Sequence, residues 1–389
     1  MSQKIFITSG GTGGHIIPAR CLAKDLAAKN CQVFFLGDKK YCSYIQTNDA
    51  FKTKIISSSQ FKKSPVFLTK AVIKIALGIL QSGYFLLKIR PQFVVAFGGY
   101  STFPTLIAAV LTKTPIILHE QNSHLGKVNR IFAKYAKKIA LSFEQTSGID
   151  ADYLPKTFFT GNPVREEILA LNKISYCLPM PKIKTAKPNN KMGYNLSLAS
   201  EFNQEESEEN LDYFNILVLG GSGGAKIFSE ILPKAFFNMS EDFKEKIKIT
   251  QQCRQELVGE TFAQYKSFNL SATIDVFFKD MPEIIKNSHL VIARSGSSSV
   301  FEFCAAKKPM ILVPFALAAD NHQEKNARYF EENKAAILIK ESEFTISKIT
   351  QLLKNLINNQ AILQKMSDNA ARLAQLDATK NLANLTKYK

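Results

Sequence analysis

His15 closes the turn Ser9-Gly10-Gly11-Thr12-Gly13-Gly14-His15, and it is the side chain best placed for proton chemistry. The apolar run Ile5-Phe6-Ile7 precedes the turn, and apolar residues recur at helical spacing from Ile16 to Ala28. The order is therefore strand, turn, helix. Glycines let backbone N–H groups come close to a ligand, and the helix N-terminus behind them favours an anion. A neutral imidazole on the first helical turn can take a proton from a hydroxyl. A histidine that merely caps or packs locally is the competing reading. The pattern returns in Ile216-Leu217-Val218-Leu219 followed by Gly220-Gly221-Ser222-Gly223-Gly224-Ala225. Ser222 takes the place of Thr12, and Ala225 takes the place of His15. The first turn is neither a dinucleotide fingerprint nor a P-loop: Ile16 occupies the third glycine position, and no Gly-Lys-Ser/Thr follows.

Three further stretches carry groups suited to a nucleotide. Arg294-Ser295-Gly296-Ser297-Ser298-Ser299-Val300-Phe301-Glu302 follows an apolar strand and opens a helix. Its hydroxyls and free N–H groups suit a diphosphate, and a carboxylate one turn later suits a ribose diol. Gly161-Asn162-Pro163-Val164-Arg165 aims an arginine at the same cleft, where it can neutralise a diphosphate. Asp320-Asn321-His322-Gln323 opens another helix, with amides suited to sugar hydroxyls or to a plain cap. Asp150-Ala151-Asp152 is an isolated acidic triplet with no partner cluster, so no metal site is expected.

The elements that must position these groups alternate. Strands are predicted at 33–36, 93–97, 116–118, 139–142 and 158–160, then at 215–219, 247–250, 274–277, 290–292, 310–313 and 336–339. Continuous apolar strands between helices imply parallel sheets buried on both faces, with ligands at the strands' carboxyl ends. The expected class is α/β: two Rossmann-like domains facing across a cleft. Residues 1–168 form the first and 213–371 the second. Residues 172–212, with a Pro/Lys/Asn-rich run and six acids from Glu201 to Asp212, read as a flexible polar linker. A C-terminal helix at about 372–389 is expected to pack back on the first domain.

The chain has 389 residues and a net charge of +17. Residues 1–170 hold 22 Lys+Arg against 9 Asp+Glu, a net of +13. A polyanionic partner follows from that asymmetry, or else a general lysine bias. The first residues run straight into a strand and read as a chain without a secretory leader. The six cysteines show no framework spacing and read as reduced thiols. Between Thr69 and Arg90 the polar residues Lys70, Lys74, Gln81 and Lys88 form one stripe on an otherwise apolar helix. It reads as falling short of a membrane span and as a sheet-flanking helix with one solvated stripe. The alternative is an apolar, lysine-rimmed membrane patch.

Seven motifs in order carry a resemblance: Gly-Gly-Thr-Gly-Gly-His, Gly-Gly-Tyr-x-x-Phe-Pro, His-Glu-Gln-Asn, Gly-Asn-Pro-Val-Arg, Gly-Gly-Ser-x-Gly-Ala, Arg-Ser-Gly…Glu and Asp-x-His-Gln. Together they resemble the MurG family of UDP-N-acetylglucosamine: lipid I N-acetylglucosaminyltransferases, over nearly all of the chain outside 172–212. The resemblance implies the GT-B fold, UDP-GlcNAc as donor and lipid I as acceptor, with no cofactor. It places Glu302 at the ribose, Ser297, Ser298, Ser299 and Val300 at the diphosphate, Ser222 and Arg165 also at phosphate, and Gln323 at the sugar. Phe278 stands where the family usually has an isoleucine against uracil. Thr12, Gly13, Gly14 and Asn122 would reach the donor from the first domain, with His15 as base. Gly223 replaces a usual glutamine. The implied setting is the anionic cytoplasmic leaflet of the inner membrane, with a cell-wall enzyme complex as a further partner and no nucleic acid. Another GT-B lipid glycosyltransferase or a UDP-GlcNAc 2-epimerase-like enzyme would share much of this pattern. A basic nucleic-acid-binding protein would leave the glycine turns unexplained.

Overall fold

The computed structural model describes residues 2–39, 49–59, 65–179, 213–221 and 223–387. Two parallel sheets organise it. The first contains β1 (Lys4–Thr8), β2 (Gln32–Gly37), β3 (Lys52–Ile55), β4 (Phe93–Ala96), β5 (Ile116–Glu120), β6 (Lys138–Leu141) and β7 (Thr157–Phe159), in the order β3-β2-β1-β4-β5-β6-β7. The second contains β8 (Phe214–Leu219), β9 (Ile247–Gln252), β10 (Ser271–Asp275), β11 (Leu290–Ala293), β12 (Met310–Leu312) and β13 (Ala336–Leu338), in the order β10-β9-β8-β11-β12-β13. Both are doubly wound, with the crevice between their first and fourth strands marking the ligand end. Central strands such as Phe93-Val94-Val95-Ala96 and Leu290-Val291-Ile292-Ala293 are fully buried because helices cover both faces.

Two strands depart from the sequence reading. β10 begins at Ser271 and ends at Asp275, earlier than the expected 274–277. It pairs only with β9 at the sheet edge, so Ser271-Ala272-Thr273 lacks an apolar run. β3 is not expected from sequence, because Lys52-Thr53-Lys54-Ile55 is a charged edge strand of four exposed residues.

Helix α1 (Gly13–Ala28) starts directly at the first glycine turn, with Thr12 at its cap. Helices α2 (Pro65–Ile89) and α3 (Phe103–Leu111) pack together on one face of the first sheet. Among the described side chains of α2, residues 69–89, only a narrow stripe is buried: Ala71, Ile75, Gly78, Ser82 and Leu86. Gly78 has no room for a Cβ, which would sit 2.0 Å from the Ser57 carbonyl oxygen. Gln81 accepts from the Ser57 backbone N–H at 2.9 Å, so it does not belong to a solvated stripe. Val72, Ile73, Leu77, Leu80, Tyr84 and Leu87 face outward, Leu80 being 71% exposed. The expected helix with one wet stripe is thus corrected: the apolar side is the exposed one. Thr69–Ile89 is also long and apolar enough to cross a membrane by length and composition, contrary to the sequence reading.

Helix α4 (Lys226–Phe237) follows the second glycine turn, with Ala225 at its cap. The two turns match in sequence yet enter their helices differently. Gly224 takes φ +64°, and a Cβ there would lie 2.8 Å from the Arg254 side chain. That left-handed residue postpones the second helix, so Ala225 is a buried cap rather than a first-turn residue.

Three further helices bear on the site. α5 (Ser297–Ala305) follows β11, α6 (His322–Glu332) follows β12, and α7 (Ala378–Asn384) returns to the first sheet. Leu382 and Ala383 of α7 join the core formed by Ile16, Leu22 and Leu26. Just before α7, Gln375 accepts from the Asn162 N–H at 2.7 Å and donates to the Ser142 carbonyl at 2.9 Å. The C-terminal segment therefore braces the loops after β6 and β7.

Candidate active site

The site is built where the glycine turn after β1, the loop after β5 and the start of α5 converge. Thr12 presents its carbonyl to the N–H groups of His15 and Ile16, both at 3.0 Å. The N–H groups of Gly13 and Gly14 lie in the first helical turn, where no carbonyl of the same helix can reach them. Gly99 lies against this turn with φ +81°, and a Cβ there would come within 2.7 Å of Gly10 Cα. Only glycine lets β4's loop sit so close.

His15 is half-buried, and its Nδ1 is 2.8 Å from Gln121 Oε1. Gln121 Nε2 lies 2.9 Å from His119 Nδ1, and His119 Nε2 lies 3.1 Å from the Gly161 carbonyl oxygen. His119 is fully buried, and burial lowers its pKa from the ordinary 6.5 to about 4. It is a neutral imidazole at physiological pH.

Glu120 organises the rest of this loop. Its Oε1 accepts from the N–H and Nδ2 of Asn122, and its Oε2 accepts from the Gly126 N–H and Asn129 Nδ2 at 2.8 Å each. Asn122 is thereby held at the junction of the two halves. Its Oδ1 accepts from Asn326 Nδ2 at 3.1 Å. Asn326, fully buried on α6, also accepts from the N–H and hydroxyl of Ser123 at 2.9 and 3.0 Å and donates to the Ser295 carbonyl.

From the second half, Ser297, Ser298, Ser299 and Val300 form the first turn of α5, capped by Gly296. Ser298 Oγ donates across the cleft to the Gly14 carbonyl at 2.7 Å. Glu302 lies one turn further in, and both its oxygens accept from Arg165, at 2.6 Å from Nε and 2.8 Å from Nη2. The residues expected at ribose and diphosphate are bonded to each other here. Gln323 opens α6, and its Oε1 accepts from the Phe315 N–H at 2.9 Å. Arg294 pairs with Glu341 through both nitrogens and donates to the Val313 and Pro314 carbonyls, which sets the shape of that loop. Phe278 is half-buried in the loop after β10, at the same carboxyl end of the sheet. Ser222 lies outside the described residues, as does 180–212, most of the expected linker.

The structure brings Thr12, Gly13, Gly14, His15, Asn122, Arg165, Ser298 and Glu302 to one cleft. Sequence reasoning assigns no role to His119, Gln121, Ser123 or Asn326. The His-Glu-Gln-Asn run at a strand's carboxyl end is the available signal for the first two. Asn326 sits inside an amphipathic helix with no motif around it. Among the described residues no group of three or more His, Cys, Asp or Glu is placed to hold a metal ion.

Two doubly wound sheets with their ligand ends facing across a cleft are the GT-B architecture. Residues 5–141 match the glycosyltransferase family 28 N-terminal domain, and residues 215–382 match its C-terminal domain. The chain is 34% identical to the UDP-N-acetylglucosamine–N-acetylmuramyl-(pentapeptide) pyrophosphoryl-undecaprenol N-acetylglucosamine transferase of Paramagnetospirillum magneticum, over 98% of this chain and 95% of that one. It is 31% identical to the protein of the same name from Phenylobacterium zucineum, over 99% and 98%. Its structure is similar to that of Acinetobacter baumannii MurG, with TM-score 0.71, 26% identity and 98% of each chain covered. A UDP-GlcNAc 2-epimerase from Neisseria meningitidis shares the fold, with TM-score 0.65 at 14% identity over 99% and 100% of the two chains. The chain belongs to glycosyltransferase family 28, within the MurG family.

Proposed function

We propose that this enzyme transfers GlcNAc from UDP-GlcNAc to the C4 hydroxyl of MurNAc in undecaprenyl-pyrophosphoryl-MurNAc-pentapeptide, with inversion at the anomeric carbon. The observation that carries the reading is the convergence of His15, the free amides of two helix starts and the Arg165–Glu302 pair on one cleft. His15 takes the proton of the attacking hydroxyl. Helix N-terminal amides and Arg165 stabilise the departing UDP electrostatically. Glu302 holds the ribose, Ser222 and residues 297–300 the diphosphate, and Gln323 the sugar. The Phe278 backbone meets uracil. Thr12, Gly13, Gly14 and Asn122 complete the donor contacts from the other half. The domain limits in this reading are 1–168 and 213–371.

The acceptor's lipid tail gives the outward apolar side of α2 a use. Lys70, Lys74 and Lys88 rim that side, and the surrounding half carries the net +13. The surface suits the anionic cytoplasmic leaflet of the inner membrane, where the enzyme lies peripherally beside other cell-wall enzymes. The test is transfer of radiolabelled GlcNAc from UDP-GlcNAc to a lipid I analogue. Formation of the labelled disaccharide product is expected. Release of free sugar or an epimer instead rejects the reading.

A further inference from the structure

The imidazole of His15 has two nitrogens, and only a bare one facing the cleft can take a proton. Which nitrogen is bare is settled by acceptors at the far end of a three-residue chain. The Gly161 carbonyl can only accept, so His119 Nε2, 3.1 Å away, carries a hydrogen. A neutral His119 then has a bare Nδ1. The Gln121 amide faces that atom at 2.9 Å, and the same amide end lies 3.2 Å from the His119 carbonyl oxygen. Both are acceptors, so this end of the amide is the NH2 group. The opposite end, Oε1, faces His15 Nδ1 at 2.8 Å and can only accept. His15 Nδ1 must therefore hold the hydrogen.

The rest of the ring's placement follows from packing. The Cδ2 edge lies against Gly10 and Gly99, where added Cβ atoms would fall 2.9 and 3.4 Å away. Nε2 makes no hydrogen bond to any described residue. Gln121 is 1% exposed and His119 fully buried, packed on the Phe97 ring with centroids 4.9 Å apart, so water does not compete for the relay. The Gly161 anchor is itself fixed, since a Cβ there would strike Gln375 and Ala378 of the returning C-terminal segment.

We infer that Gln121 and His119 are positioning residues that lock His15 in its Nδ1–H tautomer, leaving Nε2 bare as the proton acceptor. The catalytic consequence rests on the proposed transferase reading; the tautomer lock does not. A histidine free in water favours the opposite, Nε2–H form, in which the outward nitrogen is useless as a base. Burial supports the lock by keeping His119 neutral, because a protonated His119 would turn a second N–H toward the Gln121 amide.

The full-length chain labelled with 15N-histidine tests this. It has five histidines, and the His15 signals are identified by their loss in His15→Asn. At mildly alkaline pH the wild type should show a protonated Nδ1 and a bare Nε2 at His15 in long-range proton–nitrogen spectra. Finding Nε2–H in the wild type overturns the inference without any variant. Gln121→Met, close in shape but with no acceptor oxygen, should move His15 to the Nε2–H form. It should lower kcat about 10- to 100-fold with KM for UDP-GlcNAc little changed. A variant that keeps both tautomer and turnover overturns the lock. His119→Leu should release His15 likewise, and His119→Asn, which keeps an acceptor facing Gln121, should recover the tautomer and part of the turnover. A wild type that holds Nδ1–H yet transfers no GlcNAc to the lipid I analogue rejects the transferase reading and leaves the lock standing.

Discussion

Arg165 clasps Glu302 with two parallel hydrogen bonds, Nε and Nη2 to the two carboxylate oxygens at 2.6 and 2.8 Å. Glu302 is nearly buried, and Arg165 is about one-quarter exposed. A ribose diol seeking Glu302 must displace this guanidinium, which is then free to turn toward the diphosphate. Each group stands in for the ligand atoms the other is proposed to meet. Glu302→Ala should weaken UDP-GlcNAc binding about 10- to 100-fold, the range of a lost charged hydrogen bond. Calorimetric titration with UDP-GlcNAc measures it, and an unchanged affinity removes Glu302 from the donor site.

The His15 imidazole hydrogen-bonds Gln121 and none of the second-half groups proposed to hold the nucleotide. His15→Ala should therefore cut turnover by roughly 100-fold or more while leaving the donor dissociation constant close to that of the wild type. Steady-state rates on a lipid I analogue, paired with the same calorimetric titration, separate the two quantities. Near-normal turnover excludes His15 as the base.

Buried neutral histidines make stability pH-dependent with a definite sign. Burial holds His119 at a pKa of about 4; burial and then Lys308 do the same at His289. Below the ordinary 6.5 the unfolded chain takes up these protons first. Stability is full above pH 6.5 and falls as pH drops toward 4, by about 1.4 kcal/mol per pH unit for each histidine. Denaturant titrations across that window should show a shallower slope for His119→Asn than for the wild type. Equal slopes would mean that His119 titrates normally.

The parts of this fold that are legible in sequence are those written in contiguous residues. Val94 and Val95 in one sheet, and Val291 and Ile292 in the other, belong to buried runs between helices. Such runs name a parallel sheet without further help. The glycine turns and the stretch from Ser297 to Glu302 are legible because turn chemistry and helix starts are local. β3 and the start of β10 are not, since edge strands need no apolar run. Nor are the partners of His15. His119 and Gln121 act through a carbonyl at Gly161, and Asn326 meets Asn122 only once two domains close on each other. The α2 helix shows the same limit in packing: its wheel locates Lys70, Lys74, Gln81 and Lys88, but only the tertiary structure says that Gly78 and Ser82 are the covered side.

That exposed apolar side gives the last prediction. Leu80 and Leu87 are 71% and 64% exposed, and Lys88 stands over the Tyr84 ring with its Nζ 5.3 Å from the centroid. In the proposed orientation both leucines enter the interfacial region of the bilayer. Burying one leucine contributes about 1.5–3 kcal/mol, so replacing two with aspartate removes that gain and adds repulsion from an anionic surface. Leu80→Asp/Leu87→Asp should lower partition onto phosphatidylglycerol-containing vesicles by at least about 100-fold in a sedimentation assay. The fold should be undisturbed, because neither side chain is covered in the structure, and circular dichroism checks that. The charge component separates by salt: raising ionic strength should weaken wild-type binding in part, whereas the leucine contribution persists. Vesicle binding by the double variant equal to that of the wild type would move the membrane-facing surface elsewhere on the molecule.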